Sequence, residues 1–417
     1  MLLLDHVLRR VVVEGTLDVT WPDGRTVRYG DGSGEAVGLV VRDARTARRI
    51  ALNPSLAFGE AWMEGGIDTA PGTTLFALLD LLIRNVAAGH AHPWMRAAER
   101  AAGWFRRRQQ RNPIGRARAN VAHHYDLSGR LYSLFLDRDR QYSCAYFPTG
   151  AETLEEAQAA KKRHIAAKLC LDRPGLRVLD IGSGWGGLAL TLAAEWGADV
   201  TGITLSEEQH RESTARAAAA GLAHRVRFAL QDYRSVTGRF DRIVSVGMFE
   251  HVGIVHYDTF FATVARCLAP DGVALIHAIG RSGGPGATNA WLRKYIFPGG
   301  YSPALSEVLP SIERSGLFVT DIEILRLHYA ETIRHWRERF ARNRDAVAAL
   351  YDERFCRMWE FYLTGCELAF RRQGHMVWQA QLAHRADSVP LTRDYIARVE
   401  AEAARRAHGA SPVSTGA

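Results

Sequence analysis

The sequence predicts an α/β fold: a Rossmann-like parallel sheet covered by helices on both faces, behind a smaller N-terminal α+β domain. Three observations predict it. From about Thr153 onward, short apolar runs alternate with helical stretches. The run "VLDIGSGWGG" (178–187) passes from a strand into a glycine turn and then a helix. Before residue 100 the pattern differs, with strand-like pieces separated by Gly/Asp turns. A chain of 417 residues has room for two such units, each with its own core.

The elements follow in order. The opening "MLLLDHVLRRVVVEG" is broken by Asp5, His6, Arg9 and Arg10 and reads poorly as a signal peptide. "TLDVTW", "RTVRYG" and "AVGLVVRD" are strands. "TLFALLDLLIRNV" sets Leu75, Leu78, Leu79, Leu82 and Val86 at helical spacing. From Trp94 to Arg118 eight arginines stand against the single Glu99, interleaved with Trp94, Trp104 and Phe105. That stretch suits an anionic membrane surface. It equally suits nucleic acid or a solvated helix. With Asn112-Pro113 and Gly115 it marks the boundary between an N-terminal domain (1–110) and a second domain (111–400).

In the second domain "RVLDIGSG", "DVTGITL", "RVRFALQD", "DRIVSVGM" and "VALIHAIG" read as strands. Between them "LALTLAAEWG" is a helix closed by Gly197, "EEQHRESTARAAAAGL" one ending at Gly221, and "YDTFFATVARCLAPDG" one stopped by Pro-Asp-Gly. Residues 401–417 are assigned to a disordered tail. Hydrophobic residues make up 47% and charged residues 24%, the balance of a globular protein, and no apolar run reaches membrane-span length. These features place the protein in the cytoplasm. Five scattered cysteines lack metal-ligand spacing, and each is by default a small buried hydrophobe.

Gly182, Gly184 and Gly187 satisfy G-x-G-x-x-G, which makes a dinucleotide fold the first rival. An NAD site wants a carboxylate at the tip of the next strand, and that tip reads "GITLSEEQ" with Thr204 there. S-adenosylmethionine has no diphosphate to be held, and its amino-acid part needs only the close backbone approach that glycines permit.

The ordered set "VAHHYDLSGRLYSLFLD", "QYSCAYF", "TLEEAQAAK", "VLDIGSGWGG", "GITLSEEQ", "VSVGMFEHVG", "YDTFF", "LIHAIG", "IFPGGYSP" and "YLTGCELAF" resembles the cyclopropane-fatty-acyl-phospholipid synthases and their mycolic-acid relatives, from about Asn120 to Leu382. The resemblance implies a class I S-adenosylmethionine-dependent methyltransferase domain. It also implies an N-terminal domain that contacts membrane, a homodimer, and a place on the inner face of the cytoplasmic membrane. By resemblance, cofactor contacts map onto Tyr142, Ser143, Gly182, Gly184, Thr204, Leu205, Gln209, Gln231 and Asp232. A bound bicarbonate, the base of the family's chemistry, maps onto Cys144, Glu250, His277, Tyr329 and the backbone of Ile279.

The implied reaction adds a methyl group to a cis double bond of an unsaturated phospholipid and closes a cyclopropane ring. Rival readings share the fold: methylene- or methyl-branched products from the same acyl chains, or N-methylation by a Glu/His pair in the manner of coclaurine-type enzymes. Glu250 and His251 stand side by side and leave a direct general base open. His251, His123 and His124 lack further ligands at recognisable spacing, so no metal is expected. No nucleic-acid motif accompanies the arginines, and nucleic acid is not expected as a partner.

Overall fold

The computed structural model describes residues 1–94, 110 and 129–409. Most of the arginine-rich stretch, together with His123 and His124, lies outside the described residues.

The chain opens with α1 (Leu2–Val11), whose Leu4, Val7, Leu8 and Val11 form one buried face. The strands β1 (Thr16–Thr20), β2 (Thr26–Gly30) and β3 (Ala36–Val41) follow. Next are α2 (Ala44–Leu52), started where the Asp43 side chain accepts from the Thr46 N–H, and α3 (Pro54–Met63). The short β4 (Ile67–Thr69) and α4 (Leu75–Asn85) complete a unit whose sheet runs β2-β1-β3-β4. Leu17, Val19, Leu39, Val41, Trp62 and Leu78 fill its core.

The second unit begins with α5 (Gly129–Phe135) and α6 (Leu154–Lys168), the latter opened by a capping box of Thr153 and Glu156. Then come β5 (Arg177–Ile181), α7 (Gly187–Trp196), β6 (Asp199–Thr204), α8 (Glu207–Ala219), β7 (Val226–Leu230) and β8 (Phe240–Val246). They are followed by α9 (Tyr257–Cys267), β9 (Leu268–Arg281), α10 (Ala290–Tyr295), α11 (Leu305–Ser315) and β10 (Phe318–Leu325). The helices α12 (His328–Arg342), α13 (Arg344–Leu350) and α14 (Glu353–Arg372) precede β11 (His375–Ala383) and α15 (Asp394–Gly409).

Seven strands order as β10-β11-β9-β8-β5-β6-β7. Pairings from β9 through β7 are parallel, and β11 runs antiparallel to both its neighbours. The five parallel strands are those the sequence predicts, whereas β10 and the antiparallel β11 are not read from it. The buried apolar strands and αL residue Gly197 (φ +65°) match the expected elements.

The start of the chain is a helix, because its apolar residues recur every three or four positions and pack on the first sheet. Two expectations need correction. The Pro-Asp-Gly run does not follow a longer helix. The helix stops at Cys267, and a register shift between β8 and β9 absorbs the turn within a long strand. Residues 401–409 are not tail: α15 continues to Gly409, held by Tyr395, Ile396 and Ala403 and by the contact of Glu400 with His164.

The two sheets are joined by side chains of α3 and α4. Trp62 Nε1 donates to the Arg357 carbonyl (3.1 Å), and the Arg357 guanidinium lies 4.1 Å from the Trp62 ring centre. Buried Glu60 accepts from Lys294 Nζ (2.6 Å) and Tyr295 hydroxyl (2.9 Å), and Arg372 Nε donates to Asp80 (2.8 Å). Among the described residues, no helix is long and apolar enough to cross a membrane.

Candidate active site

The strand order reverses around β5, which pairs with β6 on one side and β8 on the other. Side chains beyond the carboxyl ends at such a point diverge and leave a crevice. A cleft opens there, with about 1260 Å³ of space including solvent at its mouth. Tyr142, Ser143, Gly182, Gly184, Thr204, Leu205, Gln209, Gln231 and Asp232 all line it. The structure therefore brings together every residue the sequence assigned to a cofactor.

The glycine turn is enforced by sterics. Gly182 sits at φ +86°, and a Cβ there would lie 2.8 Å from Met248 Cβ. Gly184 is also left-handed, at φ +53°. Thr204 Oγ1 donates to Gln209 Oε1 (2.9 Å) and accepts from the Ser206 N–H (3.1 Å), which leaves the Gln209 amide nitrogen available. Gln231 Nε2 donates to the carbonyl (3.0 Å) and hydroxyl (3.3 Å) of Ser235. Asp232 holds Arg234 with both oxygens, at 2.8 and 2.7 Å.

Sequence reasoning missed Asp180. It lies in β5, two residues before Gly182, and lines the cleft with its Oδ2 buried and without a hydrogen-bond partner among the described residues. Burial pushes its carboxyl up to about 7. An acidic residue inside an apolar strand was the available signal. A buried acceptor facing a cleft fits the ammonium of an amino-acid ligand, and the glycine turn fits its close backbone approach.

The second residue group lies at the neighbouring strand tips. His277 in β9 pairs with Val246, and its carbonyl accepts from the Gly247 N–H (2.9 Å). Its ring Nδ1 meets Gln379 Nε2 at 3.1 Å, so as assigned the amide donates and Nε2 carries the imidazole proton. Burial, helped by Lys161, Lys168 and His164, holds His277 well below its ordinary pKa, so it is neutral. Glu250 sits in a short turn after β8 and accepts from the Ile279 N–H at 2.6 Å. That amide, expected to face an anion, is thus engaged by Glu250. Burial pushes the Glu250 carboxyl up to about 7 against the pull of this donor, and Oε2 has no partner among the described residues.

Cys144 is 1% exposed, its thiol pushed up by burial and donating to the Ala145 carbonyl at 3.2 Å. The next residue ties this segment to α12, because the Ala145 N–H donates to Thr332 Oγ1 (3.0 Å), one turn past Tyr329. Cys144, Tyr329 and Ile279 share one aromatic-rich cluster with Phe135, Trp336, Trp359 and Tyr362. His251 lines the cleft, and burial lowers it to about 4. Among the described residues no cluster of His, Cys, Asp or Glu could hold a metal ion.

Residues 113–380 match the family described as mycolic acid cyclopropane synthetase. The chain belongs to this family. It is accordingly an S-adenosylmethionine-dependent methyltransferase. Residues 3–85 match a domain of unknown function (DUF7884). Tuberculostearic acid methyltransferase of Mycobacterium tuberculosis is 38% identical, over 88% of this chain and 87% of that protein. Cyclopropane-fatty-acyl-phospholipid synthase of Escherichia coli is 36% identical, over 87% of this chain and 94% of that one. The structure of a mycolic acid cyclopropane synthase complexed with SAH and CTAB superposes with a TM-score of 0.60 at 34% identity, covering 65% of this chain and 99% of that one. Coclaurine N-methyltransferase, at 19% identity and a TM-score of 0.63, covers 78% of this chain and 98% of that one and shares the fold alone.

Proposed function

We propose that the protein methylates the cis double bond of unsaturated acyl chains in membrane phospholipids and closes a cyclopropane ring. The carrying observation is the buried Glu250 carboxylate after β8, held at one oxygen by the Ile279 amide of β9 and without a partner at the other among the described residues. Bound in the cleft, S-adenosylmethionine supplies an electrophilic methyl group.

Gly182 and Gly184 would admit the cofactor's amino-acid part, with Asp180 beside its ammonium and Tyr142 and Ser143 on the opposite wall. Gln231 and Asp232 would meet the adenine, and Thr204, Leu205 and Gln209 the ribose side. An alkene is a weak nucleophile, so the aromatic cluster must align it and exclude water. Methyl addition places positive charge on the former alkene, and ring closure requires loss of one proton from the new methyl group. Bicarbonate held by Glu250, His277, Cys144 and Tyr329 would supply the base. Glu250, fixed at Oε1 by the Ile279 amide, would accept the anion's hydroxyl at Oε2. Neutral His277 would donate without adding a repelling charge, and the protonated Cys144 thiol would do so by turning its hydrogen from the Ala145 carbonyl to the anion.

A peripheral site on the inner face of the cytoplasmic membrane, reached through the N-terminal domain and arginine-rich stretch, and a homodimer belong to the same reading. The formal charge of +8 favours anionic lipid. Saturable binding to anionic liposomes but not to RNA or DNA is expected; the reverse result contradicts it.

A second reading, branched rather than cyclic products, is favoured by the 38% identity to a tuberculostearic acid methyltransferase. Incubation with S-adenosylmethionine and vesicles of cis-unsaturated phospholipid, followed by mass spectrometry of the fatty esters, separates the two. A gain of one CH₂ with the double bond lost gives the ring. An exocyclic methylene gives the branched reading, and no mass change defeats both.

A further inference from the structure

One buried side chain that takes no part in lining the cleft nevertheless fixes its wall. Along α6, Gln158 and Lys161 stand three residues apart on one face and both reach the 141–143 segment. Gln158 Nε2 donates to the carbonyls of Ser143 (3.0 Å) and Gln141 (3.3 Å). Lys161 Nζ donates to Gln141 Oε1 (2.6 Å) and Ser143 Oγ (2.9 Å). Lys161 is 1% exposed, and its Nζ hydrogen bonds go to neutral oxygens, while Asp137 and Asp139 act on it through space alone. Such a cation is a costly way to fill space, and an apolar chain of that length would do so more cheaply.

Hydrogen-bond polarity suggests what the cation does. An ammonium only donates, so Ser143 Oγ must accept from it, and the Ser143 hydroxyl hydrogen is left for another acceptor. Ser143 lines the cleft, beside Gly247 at the end of β8. The Gln141 amide is polarised in the same way, its carbonyl toward Lys161 and its nitrogen toward Asp139 (2.9 Å).

We propose that Lys161 is a positioning residue that turns the Ser143 hydroxyl into an obligate donor toward the carboxylate of the cofactor's amino-acid end. The inference rests on the cofactor reading above. Burial lowers Lys161 to about 8, so the ammonium persists at pH 7.

The test compares two ligands in the full chain: S-adenosylhomocysteine, which carries the amino-acid end, and 5′-methylthioadenosine, which lacks it. In Lys161→Met the dissociation constant for S-adenosylhomocysteine, measured by calorimetry at pH 7, should rise about tenfold, the equivalent of one lost charge-assisted hydrogen bond. Binding of 5′-methylthioadenosine should stay within about threefold. Ser143→Ala should give the same selective loss, and the double variant should lose no more than either single one. Equal weakening of both ligands, or of neither, overturns the inference, as does full additivity. If Lys161→Met does not fold, Ser143→Ala decides by the same two-ligand comparison. Wild-type protein that binds neither ligand instead overturns the cofactor reading itself.

Discussion

The carboxylate of Glu250 is held by the backbone N–H of Ile279 at 2.6 Å through one oxygen, while its other oxygen is buried without a partner among the described residues. Glu250 therefore cannot turn freely, and its unsatisfied acceptor is aimed by β9 and not by solvent. A group left in that state is either a defect or a place for a ligand donor.

Glu250→Gln should lower kcat by about 10²-fold or more, the usual weight of a group involved in proton transfer. Binding of S-adenosylhomocysteine should change little, because Glu250 does not line the cleft. Because burial pushes Glu250 up to about 7, kcat of the wild type should fall as pH drops below that value and the carboxylate is protonated. A pH–rate profile that stays flat down to pH 5 contradicts the assigned role.

Cys144→Ser should retain a substantial part of the wild-type rate. The buried, protonated thiol serves as a weak donor, and a hydroxyl replaces it with similar geometry. Complete loss in a variant that folds and binds S-adenosylhomocysteine would instead require a nucleophilic cysteine.

Gly182→Ala should abolish tight cofactor binding. The added methyl meets Met248 Cβ at 2.8 Å at a backbone angle of φ +86°, a strain of about 1–3 kcal/mol. Thermal unfolding and S-adenosylhomocysteine calorimetry on the same sample should record both effects.

The contact of α6 with α15 predicts a pH-dependent stability. His164 is bonded to Glu323 (2.7 Å) through Nε2 and to Glu400 through Nδ1. Burial opposes its charge, but the two carboxylates outweigh burial and raise its pKa. A raised folded-state pKa contributes stability in full below the unfolded value of about 6.5, and that contribution fades as pH climbs through the folded value. Glu400→Gln should therefore cost about 1–2 kcal/mol at pH 6, and the gap to wild type should narrow on going alkaline. Parallel melting curves across pH 5.5–9 measure it, and a gap that widens with pH contradicts the assignment.

The cleft residues were legible through the family resemblance, and their place where strands end agreed with it. Thr204, Gln231 and Gly182 each follow a readable apolar run, and a parallel sheet sends such positions to one crevice. Asp180 and Lys161 were not legible in the same way. Asp180 showed only as an acidic residue inside an apolar strand, and for Lys161 only the packing of α6 on the 141–143 segment shows that its charge is buried. The engagement of the Ile279 amide by Glu250 was likewise invisible, since it depends on a turn geometry after β8. In α15, the alanine-rich, charged run past residue 400 gave no sign of order because its anchors, His164 and the apolar residues around Ala403, lie far away in sequence.

The most direct test of the central claim follows the hydrogens of the transferred methyl group. With S-adenosylmethionine carrying a trideuterated methyl and vesicles of cis-unsaturated phospholipid, the isolated fatty ester should carry two deuterons in a ring methylene and no double bond, by mass spectrometry and NMR. Retention of all three deuterons on a methyl branch, or no deuterium in the lipid, would contradict proton removal at Glu250's site and the ring closure it serves.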